Sequence, residues 1–217
     1  AGFQYLNQSG AISESYSDFF ACMVDRDDWL IGEDVFTPSI PGDALRNMAD
    51  PHNNSVKGSP IWQPAHMSEY LYWPDTTDYG GVHYNCGIIN KAAYLVATSV
   101  GRSKAEQIYF RALNFYLNPL SQFRDLRLSL IAAADDLYGA NSTESQAVAH
   151  AFDQVGILDT TPPAILPSEE LPAVKGDEWI AFVAPDSTVG FIKEDLSDGF
   201  NIPDYKVRIA EGGTASL

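Results

Sequence analysis

The sequence is poor in cysteine and in positive charge. It has two cysteines, Cys22 and Cys86, in 217 residues, which excludes a disulfide-dense scaffold and a four-cysteine zinc site. One bridge or two free thiols are both compatible with that number. Its 13 basic residues face 29 acidic ones, for a net charge of -16. Phosphate groups repel such a polyanion, so we expect neither nucleic acid nor a membrane as a partner.

Long apolar runs and paired histidines are also lacking. No run approaches the ~20 residues of a membrane-spanning helix. None of the histidines forms the four-residue helical pair that zinc hydrolases use, so the chain has no complete zinc site of its own. Those histidines are His52, His66, His83 and His150. The chain opens with Ala1 and has no signal peptide, so we expect that its start was removed or that the sequence is partial.

Helical periodicity dominates residues 1–157, and 45% hydrophobic residues suffice for a sizeable core. The predicted helices cover residues 10–27, 87–100, 103–119, 121–138 and 141–156. The third is predicted to open with a capping box at Ser103, and the fifth with a cap at residues 141–144. Residues 28–86 lack this rhythm and contain six prolines. A loop region of this length is usually functional or held by a ligand.

The composition changes after residue 157. Residues 158–176 are rich in proline and acidic side chains, which predicts an extended linker. Short β-like runs follow at residues 179–183, 189–192 and 206–210. Three short strands do not bury a face on their own. Residues 177–217 are therefore predicted to be the start of a truncated β-rich accessory domain, after a mainly α domain at 1–157.

Two groups of residues in the first part are candidates for chemistry. Glu14 and Asp18 are four positions apart, so both carboxylates lie on one face of the first helix. That spacing alone does not separate a functional pair from two solvated acids. His83 follows a Gly-Gly pair and lies five residues after Asp78, which can orient its imidazole. A lone histidine is more often structural, but this setting indicates function.

A cluster of carboxylates stands at the end of the first helix. It comprises Asp25, Asp27, Asp28, Glu33 and Asp34. Anions are disfavoured at a helix C-terminus, so the cluster costs free energy unless a cation compensates it. A solvated acidic surface is the simpler interpretation, and calcium is the one we favour.

Several separate motifs resemble one family. They are residues 5–18 (YLNQSGAISESYSD), 29–38 (WLIGEDVFTP), 42–51 (GDALRNMADP), 80–94 (GGVHYNCGIINKAAY), 136–139 (DLYG) and 151–156 (AFDQVG). Their order and sequence are similar to the thermolysin-like zinc metalloendopeptidases, collinearly over residues 1–157. The resemblance implies the mainly helical, five-helix C-terminal domain of that family.

The resemblance also implies roles for individual residues. Glu14 matches the glutamate that completes a two-histidine, one-glutamate zinc site, for which thermolysin is a standard example. Asp18 matches the carboxylate that orients one zinc-binding histidine. His83 matches the histidine that stabilises the oxyanion, with Asp78 as its partner, and Tyr5 matches a phenol that hydrogen-bonds the same oxygen.

Substrate binding is implied at three further positions. Arg46 matches the arginine that binds the substrate backbone beyond the scissile bond. Leu45 and Ile31 match a pocket that selects an apolar residue on the new N-terminal side. The implied chemistry is attack of a zinc-activated water on a peptide carbonyl, aided by a glutamate base.

One or two calcium ions are implied as well. The ligands matched at the first calcium site are Asp25, Asp28 and Glu33. The loop matched to another calcium ion contains Phe36, Thr37, Ile40 and Asp43. Leu30 stands where an additional acidic ligand is often found, so a single ion at the first site is the safer expectation.

The resemblance implies the C-terminal half of a secreted, extracellular zinc metalloendopeptidase that cleaves peptide or protein substrates. The His-Glu-x-x-His helix of the family is absent from this sequence and is expected upstream of Ala1, in a missing N-terminal domain. Because that helix supplies two zinc ligands and the general base, we expect this chain to be inactive alone. The alternatives are a non-catalytic calcium-binding or interaction module and one half of a split protease.

Overall fold

A computed structural model describes residues 2–37, 39–40 and 42–159, together with the strands at 179–183, 188–193 and 206–208. The chain divides into two compact units, Ala1–Asp159 and Thr160–Leu217. Among the described residues, no helix combines the length and apolar character needed to cross a bilayer.

The first unit is mainly helical, as the periodicity predicts. Its helices are α1 (Asn7–Val24), α2 (Glu33–Phe36), α3 (Asp78–Val100), α4 (Arg102–Phe115), α5 (Phe123–Tyr138) and α6 (Thr143–Gln154). The four-residue α2 is an addition to the five predicted helices. It lies within the segment that lacked helical rhythm, because one turn is too short to produce a period.

α3 forms the centre of the core and packs against α1, α4 and α6. Ile88, Ile89 and Val96 are fully buried, which confirms that this helix lies in the interior. α1 contributes Phe19, whose ring stacks on Tyr109 of α4 with centroids 4.2 Å apart. Burying such side chains stabilises the fold by about 1.5–3 kcal/mol each.

Two glycines let the backbone approach α3 closely. A Cβ atom on Gly10 of α1 would lie 2.5 Å from Cγ1 of Val82, so the two helices cross with no room for a side chain there. A Cβ atom on Gly87 would lie 2.6 Å from both Gln63 Cβ and the Pro64 carbonyl oxygen. The first contact sets the separation of α1 and α3. The second lets the loop that contains Gln63 and Pro64 pack directly on α3.

The start of α3 and the cap of α4 depart most from the prediction, while the other predicted helices start within three residues of it. α3 begins at Asp78 rather than at residue 87, with left-handed backbone at Tyr79–Gly81 before the regular helix. The two glycines suggested a loop, but they form a left-handed turn that runs directly into the helix. The capping box predicted at Ser103 is wrong, since α4 starts at Arg102 and has no side-chain cap.

Two other helix starts do carry side-chain caps. At α6 the cap is confirmed, because Ser142 Oγ accepts a hydrogen bond from the Ser145 N–H. A capping box that the sequence reading missed opens α5, between Gln122 and Asp125. Its glutamine is an unusual cap residue and gave no signal.

Short elements order the region between α1 and α3. Strands β1 (Leu30–Ile31) and β2 (Arg46–Asn47) pair antiparallel, with Ile31 opposite Arg46. A 3₁₀ turn covers Met67–Glu69. Gln63 Nε2 donates to the carbonyl oxygen of His83 at 2.6 Å, which ties the loop to α3.

Both cysteines are free and buried, which answers the pairing question that the sequence left open. Burial raises the pKa of the Cys22 thiol to about 12 and that of Cys86 well above its ordinary value. Neither side chain is therefore a thiolate at neutral pH.

The second unit contains a three-stranded antiparallel sheet. Its strands are β3 (Trp179–Val183), β4 (Thr188–Lys193) and β5 (Lys206–Arg208), in the order β3-β4-β5. These positions agree with the three β-like runs of the sequence. Most of the predicted linker at 158–176 lies outside the described residues, and the domain division at 157 and 177 stays a prediction.

We predict that Gly87→Ala destabilises the first unit. The new methyl group meets a backbone carbonyl and a neighbouring Cβ, both at 2.6 Å. Such overpacking costs about 1–3 kcal/mol, which outweighs the gain of up to about 1 kcal/mol from replacing a helical glycine. Urea denaturation measures the difference. Gly2→Ala is the control, since nothing lies within 4 Å of its Cβ position, and equal stability of both variants would contradict the prediction.

Candidate active site

Tyr5, Glu14 and His83 meet where α1 crosses α3. Tyr5 lies just before α1, Glu14 lies two turns into it, and His83 lies in the first regular turn of α3. The Tyr5 hydroxyl donates to Glu14 Oε1 at 2.5 Å and lies 2.9 Å from His83 Nε2. Glu14 Oε2 is 3.7 Å from the same nitrogen. The three polar ends therefore meet at one point, where the Tyr5 and His83 side chains are partly exposed.

Asp78 holds His83 from the other side. Its Oδ1 is 2.5 Å from His83 Nδ1, and its Oδ2 accepts the His83 backbone N–H at 2.9 Å. This is the contact that the five-residue spacing suggested. It fixes the ring so that Nε2 faces Tyr5 and Glu14.

Tyr5 and Asp78 contact the two ring nitrogens of His83. The Tyr5 O–H donates to Glu14, so its oxygen can accept a hydrogen bond when His83 Nε2 carries a proton. His83 Nδ1 faces Asp78. Burial, and then the hydrogen bond to Glu14, raise the pKa of the Tyr5 phenol well above its usual range, so it remains a donor.

Asp18, one turn after Glu14 on α1, forms a buried ion pair with Arg46. The Asp18 side chain is 2% exposed and accepts from Arg46 Nη2 and from Asn90 Nδ2, both at 2.8 Å. Burial raises the pKa of Asp18, although Arg46 and Asn90 act to lower it. Two polar atoms in the cluster, Arg46 Nε and Asn90 Oδ1, have no hydrogen-bond partner among the described residues.

The two residues predicted to line an apolar pocket are neighbours in space. Leu45 N–H donates to the Ile31 carbonyl at 3.0 Å, at the end of the β1–β2 pair. Leu45 is 40% exposed, and Ile31 is half-buried. The pairing of Ile31 with Arg46 places this apolar surface next to the Asp18–Arg46 ion pair.

The acidic loop after α1 is held by local contacts. Asp28 Oδ1 accepts the Leu30 N–H at 2.8 Å, and Asp25 Oδ1 accepts the Asp27 N–H at 3.3 Å. Arg102 donates to the Asp28 carbonyl at 2.6 Å. Within the residues that the structure describes, no three His, Cys, Asp or Glu side chains converge to hold a metal.

Among the described residues of the loop matched to another calcium ion, one pair of side chains is hydrogen-bonded. Thr37 Oγ1 donates to Asp43 Oδ2. Phe36 and Ile40 are exposed, at 41% and 55%. The positions proposed as ligands are therefore accessible, and their role remains a prediction.

Three residues that the sequence reading missed belong to the site. Asn90 holds Asp18, and Gln63 holds the His83 carbonyl. Tyr79 contacts the Tyr5 ring edge-on, with centroids 5.4 Å apart. Only Asn90 gave a usable signal, because a polar residue on a buried helical face needs a partner.

Fold and site together place the chain in a class of proteins, the helical domains of metallopeptidases. The sequence model of the family described as thermolysin metallopeptidase, alpha-helical domain, matches residues 1–157. The chain belongs to this family, whose members are zinc metalloendopeptidases.

Several relatives have similar sequences. An extracellular elastase of Staphylococcus epidermidis is 47% identical over 157 residues, covering 72% of this chain and 29% of the elastase. A thermolysin of Alicyclobacillus acidocaldarius is 45% identical over 172 residues, covering 72% and 30%. The chain thus spans about 30% of the length of the curated relatives it matches.

A solved structure is also similar. It is the precursor of protealysin, a metalloproteinase from Serratia proteamaculans, with a TM-score of 0.62 and 33% identity. The match covers 72% of this chain and 52% of that one.

We predict that Arg46→Met destabilises the fold, and more at pH 8 than at pH 4. Removing one partner of a buried pair costs about 3 kcal/mol when the remaining charge has to stay ionised. In the folded protein the pKa of Asp18 is raised above its ordinary value of 3.8. The protein therefore loses stability as the pH rises from 3.8 through the pKa that Asp18 has in the folded state. Loss of Arg46 raises that pKa further.

Urea denaturation at the two pH values measures this effect. Arg124→Met is the control, because Arg124 is exposed on α5. A loss of stability that is equal at pH 4 and pH 8 would show that Asp18 does not carry the effect.

Proposed function

We propose that this chain is the C-terminal half of a secreted zinc metalloendopeptidase that hydrolyses peptide bonds in protein substrates. The observation that supports it most is the meeting of Tyr5, Glu14 and His83 within 3.7 Å of one another. Family membership supports the reaction class. The name of the extracellular elastase among its relatives supports secretion.

The donor set fits one part of a zinc site. Glu14 is a carboxylate with 18% of its side chain exposed, and its oxygens lie beside Tyr5 and His83. It would supply one oxygen ligand. A catalytic zinc needs three protein ligands, and no other described carboxylate or histidine completes the set with Glu14. In this proposal the remaining ligands and the general base come from a different segment, and the chain is inactive without it.

His83 and Tyr5 act on the substrate carbonyl in this proposal. When bound, zinc supplies an activated water and polarises the carbonyl. In this proposal the His83 Nε2–H and the Tyr5 O–H are the two donors, and their nitrogen and oxygen atoms lie 2.9 Å apart. A carbonyl oxygen facing both would take a hydrogen bond from each, in place of their contacts with Tyr5 and Glu14, as negative charge develops on it. Asp78 holds the imidazole ring in the orientation that this role needs.

Substrate binding is assigned to the surface next to the ion pair. Arg46 keeps N–H groups beyond the Nη2 that Asp18 binds, and these would donate to carbonyl oxygens of the peptide. Leu45 and Ile31 would take an apolar side chain on the new N-terminal side. Asp18 would orient a zinc-binding histidine supplied by that different segment.

We predict that His83→Ala lowers kcat about 100- to 1,000-fold in the full-length protein, as loss of one oxyanion donor does in other peptidases. Glu14→Ala should abolish activity and bound zinc together, because it removes a ligand. Hydrolysis of a protein substrate and elemental analysis of zinc are the two measurements.

The control for these variants is His150→Ala, on the exposed side of α6. Chelator-insensitive cleavage, or full activity in either site variant, would contradict the assignment. Activity restored by adding a separate chain that carries the zinc-binding helix would instead identify a split protease.

We also propose calcium binding at the acidic loop, with Asp25, Asp28 and Glu33 as ligands, and at the loop that contains Phe36, Thr37, Ile40 and Asp43.

We predict that calcium raises the melting temperature of the chain. At a calcium concentration 100 times Kd, binding adds about 2–3 kcal/mol to the free energy of unfolding. Asp28→Asn should reduce the rise, and the neighbouring Asp27→Asn is the control. A melting temperature that does not respond to calcium would contradict this part. A calcium response in a full-length protein without peptidase activity would favour a calcium-binding module.

A further inference from the structure

The left-handed turn at the start of α3 contains a tyrosine, Tyr79, in a backbone conformation that is unfavourable for this residue type. Asp78, Tyr79, Gly80 and Gly81 have φ angles of 50°, 51°, 80° and 84°. This conformation is routine for glycine and unfavourable for residues with a Cβ atom. Asp78 is compensated by its two hydrogen bonds to His83. Tyr79 requires another explanation.

Burial does not explain Tyr79, because 56% of the residue is exposed. Its ring lies edge-on to the ring of Tyr5, with centroids 5.4 Å apart and an interplanar angle of 71°. Edge-to-face is a favourable geometry for two aromatic rings. The strained turn therefore presents this ring to one particular neighbour.

That neighbour depends on side-chain contacts for its position. Tyr5 precedes α1, so helical hydrogen bonds do not fix its backbone, and 39% of the residue is exposed. The Tyr5 ring contacts two other rings, that of His83 with centroids 6.0 Å apart and that of Tyr79. Its hydroxyl must nevertheless stay within hydrogen-bond distance of both Glu14 and His83.

We propose that Tyr79 is a positioning residue, whose ring holds the Tyr5 phenol in place between Glu14 and His83. This inference rests on the proposed function, in which Tyr5 donates to the substrate carbonyl. The left-handed turn then positions both hydrogen-bond donors, since Asp78 orients His83 and Tyr79 orients Tyr5. The strained backbone at Tyr79 persists because the ring is needed at that position.

Two other roles would leave different signatures. A ring that contacts the substrate would change KM when it is removed. A ring that only packs would change stability. A positioning role acts through Tyr5, so its removal lowers kcat, leaves KM unchanged, and has no effect once the phenol hydroxyl is gone.

The experiment is a double-mutant cycle in the full-length protein. Tyr79→Asn removes the ring and leaves a residue that tolerates the left-handed backbone. We expect kcat to fall about 2- to 10-fold, which corresponds to one edge-to-face contact, with KM unchanged and the urea midpoint not lowered, since asparagine fits the left-handed backbone better than tyrosine does. In a Tyr5→Phe background the same substitution should leave kcat unchanged. Tyr79→Phe should retain wild-type kcat, and Phe110→Ala, at an exposed site on α4, is the control.

Each outcome decides between the interpretations. An effect of Tyr79→Asn that persists undiminished in the Tyr5→Phe background, or that falls on KM, overturns the positioning role and leaves the proposed function intact. A lower urea midpoint with unchanged kcat identifies a packing role and also overturns it. If Tyr5→Phe alone leaves kcat unchanged, the oxyanion role of Tyr5 in the proposed function is wrong, and the positioning role is wrong with it.

Discussion

The close crossing of α1 and α3 is the constraint on which the site depends. Gly10 and Val82 meet at that crossing with no space for a side chain on the glycine. Glu14 is one turn further along the same face of α1, and His83 directly follows Val82. The distance of 3.7 Å between their polar ends is thus a consequence of the helix separation. A wider crossing would keep every residue of the site and separate the two groups that it brings together.

The charges around the crossing are arranged so that each acid has a donor. Glu14 accepts from Tyr5, Asp78 from His83, and Asp18 from Arg46 and Asn90. In a chain of net charge -16 this local balance matters, because a buried carboxylate without a donor is strongly destabilising. The raised pKa of Asp18 shows that its compensation is incomplete. A further hydrogen-bonding partner from another segment would find two unpaired buried atoms there, Arg46 Nε and Asn90 Oδ1.

The sequence predicts the helices better than it predicts the site. Periodicity located α1 and the interior position of α3 because it reports which face is buried. It did not place Asn90 against Asp18, which lies 72 positions earlier, since contacts of that range depend on how whole helices pack. The resemblance to a family supplied Tyr5 as a candidate and a role for Glu14, while their geometry came only from the structure. The error at the start of α3 has a local cause, because two glycines are compatible with a loop or with a left-handed turn.

That turn is required by the partnership of Asp78 with His83. In a regular helix, residues five positions apart point about 140° away from each other, so the Asp78 carboxylate would face away from the imidazole. The left-handed backbone at residues 78–81 departs from this helical geometry, and the Asp78 carboxylate lies beside the His83 ring. Gly80 and Gly81 are the residues that adopt it without a steric penalty. A contact with both the ring and the backbone N–H of His83 therefore needs the irregular start of α3, and a continuous helix from residue 78 would abolish it.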